Sequence, residues 1–240
     1  GVVGIGHLGS YHLQKYTKIE GCEIVAVCDA QPERAQKAAS LYGCRAVSDH
    51  RDMIGQVDAV SVCVPTGSHF TVARDFLAAG VDVLMEKPLC STLEEADELL
   101  ALTRKRRLIL QVGFIERFNP AVMALEKVIT RPVFIEVHRL HPFFERGTDV
   151  DVILDLMIHD LDLILKFVNA TPVSVEAVGV PVLSDKIDIS NVRMTFPTGC
   201  IANVTASRIS LKTMQKLRFF GPEGYHAVDT RKREILSIAK

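Results

Sequence analysis

The sequence predicts an α/β chain in two parts: a domain with a parallel sheet covered by helices, then an α+β domain with a large, mostly antiparallel, open-faced sheet. Three observations predict it. Up to about residue 130, short apolar runs alternate with helical segments. The run Ala59-Val60-Ser61-Val62-Cys63-Val64 is almost continuously apolar, as a strand buried on both faces requires. Beyond that point the period becomes two. Asn191, Arg193 and Thr195 alternate with Val192, Met194 and Phe196, and Pro197-Thr198-Gly199 turns this run back on the alternating run from Cys200 to Ser207.

Taken in order, strands are expected near 1–5, 22–28, 45–47, 59–64, 82–85 and 109–112, with helices between them. Pro32 suits the first turn of a helix. A helix from Leu93 ends on Arg104-Lys105-Arg106-Arg107, where cations complement the helix dipole. In the second part, strands are expected near 132–141, 173–182, 191–196, 200–207, 215–220, 224–229 and 233–238. One face is apolar and needs helices. The domain boundary is read between residues 118 and 119.

Composition removes several classes of function. With 240 residues, 48% of them hydrophobic, there is core enough for one large or two modest domains. A net charge of -1 leaves no electrostatic footprint for nucleic acid. No stretch of about 18 uninterrupted apolar residues suggests a membrane span, and no signal peptide is visible. The six cysteines show no C-x-x-C spacing and read as reduced thiols of a cytoplasmic protein. The missing initiator Met points to residues ahead of Gly1.

The sharpest motif is at the very start. A short apolar run turns through Gly4, Gly6 and Gly9, with His7 and Leu8 between the last two, into a helix, and a second apolar run ends on Asp29. Strand, glycine turn, helix, strand and acid in that register describe a dinucleotide site. Gly4 allows the tight turn, Gly6 lets backbone approach a pyrophosphate, and Gly9 lets the helix pack close. The helix N-terminus holds the anion. Asp29 suits the two ribose hydroxyls of NAD and repels the 2'-phosphate of NADP. Arg34, five residues on, is the rival feature and reads as a surface helix arginine.

Two further features carry chemistry. Between Val152 and Phe167 nearly every residue is apolar, yet Asp155, His159, Asp162 and Lys166 fall on one helical stripe, which suits a wet or ligand-filled cleft. The bland alternative is an ion-pair ladder facing water, and Lys166 fits that description. Asp155 lies one turn from His159, where a carboxylate can fix an imidazole's tautomer and raise its basicity. Glu86-Lys87-Pro88 closes a predicted parallel strand, and ligands of open α/β sheets bind at strand C-termini. A metal set of His138, His141, Asp155 and His159 is disfavoured, because positions i and i+3 of a strand face opposite ways. No metal is expected.

In combination these parts resemble the Gfo/Idh/MocA oxidoreductases along essentially the whole chain. The resemblance rests on Gly4 to Gly9, Asp29, Pro65-Thr66 with His69, Glu86-Lys87-Pro88 and Asp155-x-x-x-His159-Asp160. It implies a Rossmann domain and an α/β domain whose sheet pairs face to face in homodimers or homotetramers. It implies a catalytic lysine at Lys87 and a catalytic histidine with its aspartate partner at His159 and Asp155. Pro65, Thr66, His69, Glu86 and Gln111 match positions that touch the nicotinamide half of the cofactor, and family members run on into a terminal segment that returns to the Rossmann domain.

Within the family, Val112 to Pro120, His138-Arg139-Leu140 and Arg146 to Asp151 look most similar to members acting on C3 of UDP-N-acetylglucosamine in lipid A precursor synthesis. The expected reaction passes a hydride from a sugar carbon to NAD while His159 takes the hydroxyl proton and Lys87 steadies the developing alkoxide. Arg117, Asn119, Arg139 and Arg146 are the expected contacts to the nucleotide sugar, together with Lys87 and His159, because a diphosphate suits guanidinium forks. Two other readings stand beside this one: a simple sugar or polyol dehydrogenase, and a regulatory protein that binds NAD without catalysis.

Overall fold

Six short strands build the first sheet: β1 (Val2–Val3), β2 (Ala26–Cys28), β3 (Arg45–Val47), β4 (Ala59–Val62), β5 (Asp82–Met85) and β6 (Leu110–Val112). All neighbours are parallel, in the order β3-β2-β1-β4-β5-β6. In this doubly wound order the strand sequence reverses between β1 and β4, which leaves a crevice beyond their C-terminal ends. The computed structural model describes residues 1–144, 150–222 and 224–239.

Alternate residues of each strand serve opposite faces of the sheet. Val2 and Val27 pack with Leu13 of α1 (His7–Tyr16) and with Ala35, Ala38 and Ala39 of α2 (Pro32–Tyr42). On the other face Val3, Val60, Val62 and Met85 pack with Phe76 and Leu77 of α3 (His69–Ala78) and Leu99 of α4 (Leu93–Arg106). Pro32 sits in the first turn of α2, as expected. A capping box opens α4: the Thr92 hydroxyl accepts from the Glu95 N–H, and the Glu95 carboxylate accepts from the Thr92 N–H. The ladder of β2 begins at Ala26, so the strand is shorter than the 22–28 expected from sequence.

The chain divides into two units, Gly1–Gly113 and Phe114–Lys240. The division falls ahead of the boundary read from sequence because Glu116 and Arg117 are tied to Arg139 and Asp162, both in the second unit.

Among its described residues that unit holds seven strands: β7 (Phe134–Leu140), β8 (Ser174–Val180), β9 (Ile189–Thr195), β10 (Ile201–Ser207), β11 (Met214–Gly221), β12 (Gly224–Asp229) and β13 (Glu234–Ala239). Their order is β13-β12-β11-β7-β10-β9-β8, parallel only between β7 and β10. The hairpin between β9 and β10 turns at Gly199, whose φ of +84° is left-handed and suits glycine. The apolar face, with Ile135, Val137, Val192, Val204 and Phe219, is covered by α5 (Pro120–Leu125) and α6 (Ile158–Val168). The opposite face carries Glu136, His138, Asn191, Arg193, Asn203 and Thr205. All six cysteines are free thiols. Among the described residues no helix is long and apolar enough to cross a membrane.

Candidate active site

Within the first unit, the segment joining β1 to α1 sets a glycine on each side of the buried Ile5. Gly4 has φ +88°, and a Cβ there would lie 2.6 Å from the Cys63 carbonyl oxygen; a Cβ on Gly9 would lie 1.9 Å from the Gly4 oxygen. These two glycines let turn, helix and strand approach one another. Gly6 differs, since a Cβ on it would meet nothing within 4 Å. Gly6 is also the N-cap of α1, which has no side-chain cap and no acid in its first turn. Its N–H groups and positive dipole end therefore fit a pyrophosphate.

Asp29 follows β2 and is 8% exposed. Its carboxylate accepts from the Ile5 N–H at 2.6 Å and the Gln31 N–H at 2.8 Å. Each carboxylate oxygen retains a second lone pair, so the geometry fits ribose hydroxyls as well. Arg34 is exposed on α2 and lines an open groove of about 770 Å³ together with Gly6, His7 and Lys37.

Pro65 and Thr66 lie just past β4, at the start of a short 3-10 turn, and His69 begins α3. The His69 ring is 1% exposed, with Nδ1 2.8 Å from the Pro88 carbonyl oxygen and Nε2 2.9 Å from that of Val64. Glu86, Lys87 and Pro88 follow β5, and the Lys87–Pro88 peptide is cis. The glycine turn, Asp29, Pro65, Thr66, His69, Glu86 and Lys87 thus all lie at strand C-terminal ends.

Gln111 stands apart. In the ladder it shares a row with Leu84, Ser61 and Val2. It lines a cavity of about 450 Å³ with Gly1, Asp58, Asp82 and Ile109, at the starts of the strands. The residue of that segment that meets Glu86 is Gly113, where a Cβ would lie 3.3 Å from the Glu86 carboxylate.

In the second unit, one π turn over Ile153–Met157 leads into α6. Asp155 and His159 are both half-buried on this helix. Further along the predicted stripe, Asp162 receives a two-pronged Arg117 fork at 2.6 and 2.7 Å, and Lys166 reaches Glu126 at 2.9 Å. The helix start is pinned as well. Val152 N–H donates to the Ile187 carbonyl, the Ile187 N–H donates to Asp151, and Arg208 donates to the Val150 carbonyl and to Asp188. Burial pushes the Asp188 carboxyl up, but donation from the Val182 and Leu183 N–H groups, from Arg208 and from the Ser184 hydroxyl outweighs it and leaves the group well below the carboxylate range.

The expected substrate contacts occupy other places. Arg139, 4% exposed, forks onto Asp160 with two 2.8 Å bonds and lies 3.4 Å from Glu116. Burial pushes the Asp160 carboxyl up against the pull of that fork. Arg117 is taken up by Asp162. Asn119 caps α5 through the Ala121 N–H and donates to Glu116 and to the Thr230 carbonyl. Arg146 lies outside the described residues. Burial of Arg139 was readable from strand alternation, since it shares the inward register of Ile135 and Val137. Asp188 and Arg208 had no such signal.

Comparison with known proteins decides the family. The oxidoreductase family with an NAD-binding Rossmann fold, GFO/IDH/MocA, matches residues 1–114, and its C-terminal domain matches residues 126–226. The chain belongs to the Gfo/Idh/MocA oxidoreductases. It is 43% identical to a UDP-N-acetylglucosamine 3-dehydrogenase of Acidithiobacillus ferrooxidans, over 95% of this chain and 73% of that protein. A solved structure of that enzyme superposes with a TM-score of 0.92 at 42% identity, covering 98% of this chain and 75% of the other. An inositol 2-dehydrogenase of Rhizobium meliloti is 28% identical over 100% of this chain and 78% of that protein. The chain is accordingly an NAD(P)-dependent oxidoreductase acting on CH–OH groups.

Proposed function

We propose that this chain is an NAD-dependent dehydrogenase that oxidises the C3 hydroxyl of a nucleotide sugar such as UDP-N-acetylglucosamine. The observation that supports it most is the 43% identity to an enzyme of that name along 95% of the chain. Retention of both Lys87 and His159 favours catalysis over a purely regulatory role, which needs no base.

Oxidation of a secondary alcohol removes a hydride from carbon and a proton from oxygen. A bound nicotinamide supplies the hydride acceptor. His159 takes the hydroxyl proton, and Asp155, one turn earlier, orients the imidazole. The Lys87 ammonium would steady negative charge developing on a hydroxyl oxygen as it is oxidised. Gly6 and the first N–H groups of α1 hold the pyrophosphate, while Asp29 receives ribose hydroxyls and disfavours a 2'-phosphate. The polar outer face of the second sheet serves pairing of copies into dimers or tetramers, and the enzyme works in the cytoplasm.

The test is turnover with UDP-N-acetylglucosamine, myo-inositol and simple sugars, each with NAD and with NADP. The nucleotide sugar with NAD is expected to give the highest kcat/KM; a polyol ahead of it would overturn the substrate assignment. His159→Ala is expected to lower kcat by about 10² to 10⁴ and leave NAD affinity unchanged. A loss below tenfold would remove His159 as the base. Lys87→Met is expected to be at least as harmful.

A further inference from the structure

The residues on either side of Lys87 are each held by a histidine. Before it, the Glu86 carboxylate is 2.9 Å from His12 Nε2 of α1. His12 Nδ1 lies 2.9 Å from the Ser61 hydroxyl, which is bonded in turn to the Tyr16 hydroxyl. Burial pushes the Tyr16 phenol up, which keeps it an O–H donor. With Glu86 ionised every bond can point one way: Tyr16 to Ser61, Ser61 to Nδ1, Nε2–H to the carboxylate. Such a chain strengthens its own links. After Lys87, the Pro88 carbonyl receives His69, whose other ring nitrogen faces the Val64 carbonyl.

The same place offers a rival description. His12, Cys63 and Glu86 bring ligand atoms within 4.8 Å of one another. Burial, with the Glu86 charge adding to it, pushes the Cys63 thiol up to about 12. A neutral thiol is a poor ligand, and both His12 nitrogens already have partners. The group reads as a strut.

We infer that His12 and His69 are positioning residues for Lys87, His12 through the carboxylate of Glu86 and His69 through the carbonyl of Pro88. His12 also sits one turn past Gly9, so the helix that carries the glycine turn holds one side of the lysine loop. A catalytic group displaced by about 1 Å can lose up to about 100-fold in rate, which sets the size of the effect.

This rests on the role proposed for Lys87, and the experiment separates the two. Steady-state kinetics of the full chain with UDP-N-acetylglucosamine and NAD are paired with calorimetric NAD titration. If Lys87→Met lowers kcat less than tenfold, the role of Lys87 fails first, and the inference with it. If it passes, His12→Leu is expected to lower kcat about 10- to 100-fold with NAD affinity and sugar KM within about threefold. His12→Gln, whose amide N–H can still reach Glu86, is expected to recover most of the loss, and His69→Phe to match His12→Leu. In a Lys87→Met background, His12→Leu is expected to cost less than about twofold more, because it acts through the missing ammonium. A fully multiplicative loss there, or no recovery with His12→Gln, would overturn the inference. Should His12→Leu show no melting transition, Glu86→Met, which offers no oxygen to His12 Nε2–H, replaces it: a kcat loss at constant KM supports the strut, and an unchanged kcat refutes it.

Discussion

The two units steady the side chains proposed to act in catalysis, Lys87 and His159, with different chemistry. Around Lys87 the supports are imidazoles: His12 between the Glu86 carboxylate and the Ser61 hydroxyl, and His69 lodged between the Pro88 and Val64 carbonyls. Around His159 they are guanidinium forks: Arg139 on Asp160, the next residue along, and Arg117 on Asp162. Hydrogen bonds between neutral groups can be lost singly at about 1 kcal/mol each, and a bond from a neutral imidazole to a carboxylate at about 1.5 to 3 kcal/mol. A buried ion pair is less forgiving, because removing one partner leaves the other desolvated and unbalanced. The first unit should therefore degrade by degrees under mutation, and the second should fail abruptly.

The largest expected break lies in the first unit, where backbone rather than side chain is at stake. Gly9→Ala would set a Cβ 1.9 Å from the Gly4 carbonyl oxygen, an atom that cannot rotate away. Both the melting temperature and NAD affinity are expected to fall, the affinity at least about 100-fold, a loss of about 2.7 kcal/mol. Gly6→Ala sharpens the contrast. Its Cβ has open space and its φ is −76°, so melting should be unchanged while NAD binding, measured by titration calorimetry, is lost. Loss of stability in Gly6→Ala would show that the open space is filled by protein.

Next in size is Asp160→Ala in the second unit. Among the described residues it leaves the buried Arg139 guanidinium with only the 3.4 Å contact to Glu116. Urea unfolding should show a loss of about 3 to 5 kcal/mol. A loss near 1 kcal/mol would place this pair with the hydrogen bonds of the first unit and erase the difference between the two.

These cases also mark what was legible beforehand. The glycine turn, Asp29 and the strands of both sheets follow from local pattern, since side-chain periodicity and φ restrictions act over a few residues. Pairings that close over long loops left no local mark. His12 meets Glu86 across 74 positions, and nothing in a glycine fingerprint announces a partner for the histidine three residues beyond it. Arg139 shows the opposite failure. Its residue type suggested a diphosphate fork, while its place in the alternation of β7 already put it inside. Gln111 follows the same rule, because its row faces the cavity at the strand starts.

Acid probes the second unit more gently. A carboxyl whose folded pKa is depressed adds stability above its unfolded pKa and loses it as pH falls toward the folded value. Asp188 is such a group, so stability should decline as pH drops below about 4, the ordinary Asp range. Asp188→Asn should flatten that slope in urea titrations at pH 3 to 7. An unchanged slope would move the acid sensitivity to other carboxylates.

The smallest effect returns to the first unit. Ser61 is the middle link between Tyr16 and His12, and Ser61→Ala deletes its hydroxyl from both bonds. The Tyr16 hydroxyl and His12 Nδ1 both belong to half-buried residues, so water can replace part of what is lost. Urea unfolding should register about 1 kcal/mol. The His12–Glu86 bond survives the change, so kcat should fall by no more than about threefold, well short of His12→Leu. A Ser61→Ala loss as large as that of His12→Leu would mean that the polarity of the whole chain, rather than its last bond, sets the lysine's position.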